Sequence, residues 1–452
     1  MKIVIVGDGK VGYALSEQLS KENHDVTIID NNEATLARTA ERIDVIGIKG
    51  NGASYAVQKE AGVSEADLLI AATSTDEVNM ICCLLAKKLG AKHTIARIRN
   101  PEYRDQLHLL KEDLGLSMTI NPELAAANEM ARLISFPSAL SMGTFSKGKV
   151  ELIEFRLNKN NHVVGKSLLQ LKQKHALDVL ICVVDRDGTA FIPNGNTVLQ
   201  EGDKIHITGT HKAIVTFLRA NGIIEEKIKT AMLVGGGRIS YYLANIISGT
   251  GVNVKIIEKD AQRCLSLCEM LPDVKIICGD GSEQELIEAE GLTQSDAFIA
   301  LTGMDEENLI VAMYAANRGV TKVMAKINRL EYLDVIKHQG IDSVISPKHI
   351  TTQQILQYVR SIQDAEGGKI DTLYKIINGQ VQILEFTATE SLKNQGKSLS
   401  KVELIPEVLI AVIVRNGKLI IPSGQDCLYK GDSVIIVTTN EKLMELNDIF
   451  KK

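Results

Sequence analysis

The stretch MKIVIVGDGKVG, residues 1–12, passes from an apolar run into three glycines at Gly7, Gly9 and Gly12. The apolar run is typical of a buried parallel strand, and apolar residues four apart after the glycines predict a helix. In this G-x-G-x-x-G spacing the first glycine permits a tight turn, the second lets the backbone approach a pyrophosphate, and the third lets the helix pack against the strand. The pyrophosphate then meets the N–H groups at the helix N-terminus. The stretch therefore predicts a strand–turn–helix that binds a nucleotide.

A carboxylate follows the next predicted strand. Residues 25–30, DVTIID, end in Asp30, which lies 18 positions after Gly12. A carboxylate at this place accepts hydrogen bonds from an adenosine ribose and repels a 2′-phosphate, which favours NAD(H) over NADP(H). The alternative is a surface carboxylate that caps the following helix at residues 31–33. Because strand, glycines and acid are in register, we favour the nucleotide site.

The composition narrows the class of protein. The chain has 452 residues, of which 45% are hydrophobic, and these supply enough apolar surface for several packed cores. The formal net charge is −5 and tryptophan is absent, so we predict no nucleic-acid partner. Seven cysteines without a C-x-x-C motif indicate reduced thiols, and we predict no metal site. No run of 18 apolar residues is present, so no membrane span is expected.

The opening motif returns in the second half of the chain. Residues 230–240, TAMLVGGGRIS, restate it at an offset of 228 positions, and Glu258 follows Asp30 at the same offset. The segment TSTDEVN at 73–79 returns as TGMDEEN at 302–308, at an offset of 229. A nearly constant offset between such separated motifs indicates gene duplication.

Strands and helices alternate within each copy. In the first copy the predicted strands lie near 2–6, 25–29, 44–48, 67–72, 94–98 and 117–120. This alternation is typical of α/β folds, and the β-rich segment with Asn-Gly and Asp-Gly turns after each copy predicts a small α+β lobe. The predicted fold is two doubly wound, parallel-sheet (Rossmann-like) domains, each followed by such a lobe. The predicted boundaries are 1–137, 143–225, 229–362 and 370–452, with linkers near 138–148 and 363–370.

Polar residues follow three strands of the first copy, at the carboxyl edge where doubly wound sheets hold ligands. Asn51 follows the third strand, Thr73 and Ser74 follow the fourth, and Arg97 ends the fifth. A guanidinium at this edge can pair with a phosphate. The alternative for Arg97 is an ion pair with Asp76 or Glu77, which begin the predicted helix between the fourth and fifth strands.

Those carboxylates, Asp76 and Glu77, resemble a catalytic pair only in their spacing. Acidic residues in a first helical turn stabilise the helix N-terminus, and this interpretation is favoured. Asn79, in the same turn, either belongs to the ligand edge or lies on a capped or solvated helix face. No Ser/His/Asp or Cys/His motif for nucleophilic catalysis is recognisable in the sequence.

The doubled glycine loops, the segment ARIRNPEY at 96–103, and the Gly-Asp pairs at 202–203 and 431–432 resemble those of the TrkA family. These proteins are the peripheral nucleotide-binding subunits of bacterial Trk potassium-uptake systems. The resemblance covers the whole chain. It implies tandem RCK (KTN) domains, each with an N-terminal Rossmann part (RCK_N) and a C-terminal lobe (RCK_C).

The resemblance also implies where NAD(H) binds, and together with the strand-edge residues it completes the set of candidates. In the first domain they are Gly7, Asp8, Gly9, Lys10, Val11, Gly12, Asp30, Asn51, Thr73, Ser74 and Arg97. In the second domain they are Gly235, Gly236, Gly237, Arg238, Ile239, Glu258, Asp280, Thr302 and Gly303. No catalytic residue is assigned.

The function implied is that of a regulatory subunit rather than an enzyme. It would lie in the cytoplasm, peripheral to the inner face of the bacterial membrane, and would gate a Trk-type potassium translocator. The resemblance further implies a homo-oligomeric ring, a dimer of dimers, that responds to NAD(H) and to ATP or ADP. An NAD-dependent oxidoreductase with duplicated Rossmann domains is the alternative.

Three substitutions depart from the family pattern. Asp8 places a carboxylate between the first two glycines, where a small neutral residue is usual, and Lys10 is expected to offset it. In the second copy Ser240 replaces the third glycine, and Lys326 stands in register with Arg97 without its bidentate fork. We therefore expect the second site to differ from the first.

Overall fold

Four β-sheets follow one another along the chain, and parallel sheets alternate with antiparallel ones. The structure, a computed structural model, describes residues 1–104, 106, 111–136, 139–145, 150–174, 179–223, 227–329, 341–365, 372–377, 379–440 and 443–451. The predicted segment ends at 137, 225 and 370 lie outside the described residues, as does most of the predicted linker 363–370.

The first parallel sheet has six strands in the order β3-β2-β1-β4-β5-β6, the order of a doubly wound dinucleotide-binding fold. Its strands are β1 (Lys2–Val6), β2 (Asp25–Asp30), β3 (Ile46–Lys49), β4 (Leu68–Ala71), β5 (His93–Arg97) and β6 (Met118–Ile120). The helices are α1 (Lys10–Lys21), α2 (Glu33–Ala40), α3 (Tyr55–Glu60), α4 (Asp76–Leu89), α5 (Pro101–Arg104) and α6 (Pro122–Ser135). Strand order reverses between β1 and β4, so a crevice opens at their carboxyl ends.

The first antiparallel sheet has the strand order β10-β9-β11-β8-β7. Its elements are β7 (Ala139–Phe145), β8 (Val150–Arg156), α7 (Leu168–Lys174), β9 (Val179–Arg186), β10 (Thr189–Phe191), β11 (Lys204–Gly209) and α8 (His211–Ala220). The stretch 138–148 predicted as a linker therefore contains a strand, and that prediction was wrong. The error has a physical reason, since this strand is held by antiparallel pairing with β8, which the sequence pattern of the stretch does not show.

The second half repeats both sheets. The second parallel sheet has the order β14-β13-β12-β15-β16-β17, and the second antiparallel sheet the order β18-β19-β22-β20-β21. Their strands are β12 (Thr230–Val234), β13 (Asn253–Glu258), β14 (Lys275–Cys278), β15 (Ala297–Ala300), β16 (Lys322–Lys326), β17 (Ser343–Ile345), β18 (Thr372–Ile376), β19 (Val381–Thr387), β20 (Val408–Arg415), β21 (Lys418–Ile420) and β22 (Ser433–Thr438). The helices are α9 (Arg238–Ser248), α10 (Ala261–Met270), α11 (Gln284–Ala289), α12 (Asp305–Asn317) and α13 (Pro347–Ala365). Short 3-10 turns lie at Val63–Glu65, Leu292–Gln294, Leu399–Lys401 and Leu446–Ile449. The predicted fold class is confirmed.

The two Rossmann-like units share their cores. Helix α13, which follows the second sheet, packs on α1 and buries Ile355, Leu356 and Val359 in the core of the first sheet. Helix α6, which follows the first sheet, packs on α9 and joins the core of the second unit through Ala126 and Met130. Each unit therefore depends on a helix from the other half, and separation of the halves would expose both apolar faces.

The two antiparallel sheets also pack on each other. Their shared core contains Leu152 and Val183 from the first lobe and Val412, Ile435 and Val437 from the second. Strands of sandwiched sheets alternate inward and outward side chains, so each sheet has a second core on its other face. In the first lobe α8 covers that face, and in the second lobe the turn Leu446–Ile449 packs there. Among the described residues, no helix has the length and apolar character needed to cross a bilayer.

Candidate functional site: two facing glycine loops

The first glycine loop connects β1 to α1 at the crevice. Gly7 has φ +99°, a left-handed conformation that favours glycine, and a Cβ there would lie 3.0 Å from the Thr73 backbone nitrogen. A Cβ at Gly12 would lie 1.9 Å from the Gly7 carbonyl oxygen, which explains the close approach of α1. No atom lies within 4 Å of a Cβ at Gly9, which is exposed. The loop thus leaves open the space where a pyrophosphate would meet the first N–H groups of α1.

Asp30 lies at the end of β2, beside this loop. One carboxylate oxygen accepts from the backbone N–H of Asp8 at 2.7 Å, and the other accepts from the N–H of Asn32 at 2.8 Å. The N-cap of α2 is Asn32, whose side chain accepts from Thr35 N–H at 3.2 Å. The alternative that Asp30 caps this helix is therefore wrong. Each of its oxygens keeps a further acceptor position, which suits a ribose hydroxyl.

Asp8 turns away from the open space above Gly9. Its side chain is 5% exposed and accepts from the Thr39 hydroxyl at 2.6 Å. Burial raises the pKa of the Asp8 carboxyl, the Thr39 hydrogen bond opposes that rise, and the nearby Asp30 charge adds to it. Lys10 is exposed at the first residue of α1, so a buried carboxylate and an exposed ammonium flank Gly9.

The ends of β4 and β5 are joined by Asn79. This side chain is fully buried; its amide oxygen accepts from Thr73 N–H at 2.8 Å, and its amide nitrogen donates to the Arg97 carbonyl at 2.8 Å. The solvated-face alternative for Asn79 is wrong. The Arg97 guanidinium donates to the Thr73 carbonyl oxygen. Ser74, the residue after Thr73, is exposed.

Among the described residues, the acidic start of α4 makes its ion pair with Arg99 and not with Arg97, although Asp76 lies close enough to Arg97 for its charge to oppose the lowering of that guanidinium's pKa by burial. Asp76 is buried and accepts the backbone N–H groups of Arg99 and Asn100, both at 2.8 Å, with the Arg99 Nε at 3.6 Å. Glu77 accepts from the Tyr103 hydroxyl. These carboxylates therefore hold the loop after β5 against α4.

The second glycine loop repeats this geometry. Gly235 has φ +100°, and a Cβ at Gly237 would meet no atom within 4 Å. Glu258 accepts from the N–H of Gly236 at 2.5 Å and from the N–H of Asp260 at 2.8 Å, the same two directions that Asp30 uses. Arg238 is exposed at the first residue of α9, and Ile239 beside it is buried in the core.

Ser240 fills the place that glycine holds in the first loop. Its hydroxyl donates to the Gly235 carbonyl, the counterpart of the oxygen that a Cβ at Gly12 would strike. A side chain at Gly12 would clash with the carbonyl oxygen of the first glycine, whereas the Ser240 side chain forms a hydrogen bond with the equivalent oxygen.

The remaining candidates lie at the same edge. Asn51 accepts from Ala53 N–H at 2.9 Å, and Asp280 accepts from Ser282 N–H at 2.9 Å, so each closes a turn after the third strand of its sheet. In the second unit the Asn308 amide accepts from Thr302 N–H at 2.7 Å, and Gly303 follows in the exposed turn.

The two sites approach each other across the junction of the units. Burial, then repulsion from Arg99, with a further contribution from Arg238, lowers the pKa of Arg97 to about 10. Burial lowers the pKa of Lys326, and Lys10 of the first loop adds to that shift by repulsion. We call Arg97 and Lys326 the strand-end cations, and Lys10 and Arg238 the glycine-loop cations. The strand-end cation of each unit therefore lies close enough to the glycine-loop cation of the other unit for the two charges to repel each other.

The tertiary contacts explain this approach. The Tyr242 hydroxyl on α9 donates to the Arg99 carbonyl at 2.9 Å and accepts from the Asn121 amide at 3.1 Å. Glu123, at the start of α6, lies near both Arg97 and Lys326. Sequence reasoning missed these bridging residues, because nothing in a repeat with constant offset shows that the two copies face each other.

Comparison with known proteins identifies the family. A model of the TrkA-N domain matches residues 3–122 and 231–347, and a model of the TrkA-C domain matches residues 152–222 and 383–451. The chain belongs to the TrkA family. One similar member is a Trk system potassium uptake protein TrkA homolog from Archaeoglobus fulgidus, which is 34% identical to this chain over 452 residues, with 100% of both chains covered. The TrkA of Vibrio alginolyticus is 32% identical, with 98% of this chain and 96% of that protein covered.

Solved structures agree with the TrkA-family assignment at the level of the fold. A GsuK channel bound to NAD superimposes with a TM-score of 0.65 and 18% identity, covering 97% of this chain and 77% of that one. A GsuK structure bound to ADP gives a TM-score of 0.53 and 14% identity, covering 80% and 69%. The prediction of a TrkA-type tandem RCK chain is confirmed.

Proposed function

We propose that this TrkA-family chain is the nucleotide-sensing subunit of a membrane potassium-uptake system. It binds NAD(H) at the first glycine loop and NAD(H) or an adenine nucleotide such as ATP or ADP at the second. It controls an integral translocator of the Trk type and performs no catalysis. The potassium-uptake names of its relatives and the NAD-bound and ADP-bound fold neighbours support this proposal.

The observation that carries the proposal is the cluster of cations between the facing loops. Lys10 lies near Lys326, and Arg99 and Arg238 lie near Arg97. The cations repel each other, and part of that repulsion is offset by the carboxylates of Glu123, Asp76 and Asp305. The Arg97 Nε is buried and has no hydrogen-bond partner among the described residues. Such a cluster is unfavourable alone and favourable around phosphate oxygens, because charge-assisted hydrogen bonds to phosphate are among the strongest available.

The residues fit a dinucleotide on structural grounds. The open space at Gly9 admits a pyrophosphate, and the Asp30 oxygens have acceptor positions left for a ribose. Gly237 and Glu258 repeat this arrangement. Bound phosphate would reduce the repulsion between a cation of one unit and a cation of the other, so the ligand would stabilise one arrangement of the two units.

The assembly and the domain limits remain part of the proposal. We propose a ring of RCK domains on the cytoplasmic side of the translocator, built as a dimer of dimers. We retain 1–137, 229–362 and 370–452 as three of the four segments. The first lobe begins at Ala139 rather than at 143, because β7 pairs within its sheet.

Isothermal titration of the purified full chain with NADH, ADP and ATP tests the binding step. We expect saturable binding of NADH without its oxidation in a broad panel of small carbonyl and hydroxy-acid substrates. Turnover of NADH with a defined substrate at ordinary enzyme rates would instead favour the oxidoreductase alternative. Co-expression with the translocator from the same genome, in cells lacking other potassium-uptake systems, tests whether rubidium uptake depends on this chain.

A further inference from the structure

Two thiols meet beside the ribose-binding carboxylate of the second site. Cys264 lies in the first turn of α10, and its Sγ donates to the Glu258 carbonyl oxygen at 3.2 Å. The same oxygen accepts from Gly279 N–H at 2.9 Å, and Cys278 is the residue before that glycine. Cys278 is also paired with Glu258 in the register between β13 and β14. Both cysteines thus converge on one backbone group.

The side chains point to the same space. Ile276 packs in the core cluster that contains Leu267 of α10, and side chains two apart on a strand share a face. Cys278 therefore lies on the face of β14 that α10 covers. On α10, Cys264 lies about one turn before Leu267. The Cys278 thiol lies close enough to Cys264 to act on its titration: burial, and then the neighbouring Cys278, raises the pKa of Cys264 to about 11.

We propose that Cys264 and Cys278 are a site of reversible oxidation to a disulfide, which weakens nucleotide binding at the second glycine loop. Cys278 is exposed, whereas Cys264 is 7% exposed, so the two have different roles. The exposed thiolate attacks one oxygen of hydrogen peroxide and breaks the O–O bond, giving a sulfenic acid and, after one proton is taken up, water. The Cys264 sulfur then attacks the sulfenic sulfur, the S–S bond forms, and the thiol proton leaves with the hydroxyl as a second water. Two thiols are oxidised to one disulfide and one hydrogen peroxide is reduced to two waters.

Local geometry selects this pair over the other nearby thiol. Cys268 lies four residues after Cys264 on the same helix, where Cβ atoms are about 5–6 Å apart. A disulfide needs Cβ atoms about 3.5–4.5 Å apart, so these two cannot be bridged without unwinding the helix. Cys268 therefore provides a matched control.

The first site has no counterpart of this pair. The positions equivalent to Cys264 and Cys278 are occupied by Leu36 and Lys49, and Lys49 is paired with Asp30 as Cys278 is with Glu258. Oxidation would therefore act on one site and leave the other as an internal reference. Its effect on affinity rests on the proposed function, whereas formation of the disulfide does not.

The disulfide removes the Sγ hydrogen bond to the Glu258 carbonyl and draws the start of α10 towards β14. Loss of one hydrogen bond that positions the carboxylate corresponds to about a fivefold fall in affinity. We expect ADP to bind about fivefold more weakly at the second site after oxidation, with the first site unchanged. Addition of a thiol reductant should restore the affinity.

The experiment treats the full chain with hydrogen peroxide, maps disulfides by mass spectrometry of a non-reducing digest, and measures ADP and NADH affinity by calorimetry. We expect a peptide linking Cys264 to Cys278 in the original chain and in Cys268→Ser, and its loss in Cys278→Ser. Since Cys278 is exposed, its serine variant should fold normally. Cys264→Ser provides the second test of the pair.

Two results would overturn the inference. One is a folded, nucleotide-binding chain that forms no Cys264–Cys278 bridge; the other is a bridged chain with unchanged affinity at the second site. A reduced chain that binds neither ADP nor NADH contradicts the proposed function instead, and the disulfide map distinguishes that outcome.

Discussion

The two glycine loops have the same backbone conformation, but different side chains pack against it. In the first loop Asp8 and Thr39 form a buried hydrogen-bonded pair, and in the second Gly236 and Leu267 take these positions. A Cβ at Gly236 would lie 2.6 Å from the Leu267 Cδ1 atom, so the small residue and the large one are matched. A polar pair has been exchanged for an apolar one at nearly constant volume, as close packing requires.

The exchange changes the electrostatics of the sites more than their shape. The first loop carries a carboxylate and the Lys10 ammonium, and the second carries only the Arg238 guanidinium. At the glycine loops a lysine in the first unit is replaced by an arginine in the second, whereas at the strand ends Arg97 is replaced by Lys326. Both strand-end cations keep the same kind of hydrogen bond, to the carbonyl oxygens of Thr73 and Thr302 respectively. Duplication thus preserved the hydrogen-bond frame and left the ligand preference free to diverge.

The largest expected effect separates Gly12 from Ser240. Gly12→Ser would place a Cβ 1.9 Å from the Gly7 carbonyl oxygen, so α1 must move, and we expect the free energy of unfolding to fall by about 3 kcal/mol. Ser240→Gly loses one hydrogen bond and some helix propensity, at a cost of about 1 kcal/mol. Urea unfolding of the full chain measures both.

Gly9→Ser is the control for this pair, since a side chain there meets no protein atom and a serine N-cap favours the helix. It should keep the stability of the original chain and lose NADH affinity at the first site. Equal destabilisation by Gly12→Ser and Gly9→Ser would contradict the close-approach argument.

The next effect separates Asp30 from Glu258, the two carboxylates proposed to bind a ribose. In the full chain, Asp30→Ala should weaken NADH binding at the first site by about tenfold to a hundredfold, because it removes charge-assisted hydrogen bonds worth roughly 1.5–3 kcal/mol. NADPH should be weakened less, because the carboxylate opposes the 2′-phosphate while it is present. Calorimetry measures both affinities.

Glu258→Ala should have the corresponding effect at the second site only, which makes each variant the control for the other. An unchanged NADH affinity in Asp30→Ala, accompanied by a lower thermal midpoint, would mean that Asp30 acts only on the fold.

A smaller effect concerns the choice of nucleotide. One extra unit of positive charge near the phosphates is worth about 1 kcal/mol in a solvated crevice, so the ratio of ATP to NADH affinity should be about fivefold higher at the second site. The halves share their cores, so the test uses Asp30→Ala and Glu258→Ala full chains rather than separated halves. The same ratio at both sites would refute the charge argument.

The smallest effect concerns pH. Burial raises the pKa of Asp8 above its ordinary value of 3.8, so the folded chain holds this proton more tightly than the unfolded chain does. Its contribution to stability is present below pH 3.8 and is lost as pH rises through the raised folded pKa. Asp8→Asn should lack this decline, with a difference below about 1 kcal/mol because the Thr39 hydrogen bond to the carboxylate opposes the rise in pKa that burial causes. Stability curves of both chains that remain parallel between pH 3.5 and pH 7 would contradict this account.

Periodicity and repeats were sufficient to predict each Rossmann-like unit. Val11, Leu15 and Leu19 are buried on one face of α1 as their spacing predicts, and β1 is buried at four of its five residues. The position of the candidate residues at one edge of each sheet was also predictable, because parallel strands bring their carboxyl ends together. The role of Asn79 was not, since a buried amide and a solvated one look alike in sequence.

By itself, the sequence determined the duplication, the glycine loops, the carboxylates that end β2 and β13, and the β-rich lobes, because all of these are local patterns or repeat at constant offset. Only the tertiary structure decided that α6 and α13 are exchanged between the units and that the loops face each other. The same holds for the convergence of Cys264 and Cys278 on one carbonyl oxygen. The reason is that helix exchange and charge repulsion between halves are contacts between residues far apart in the chain, and no local pattern encodes which distant surface a helix will cover.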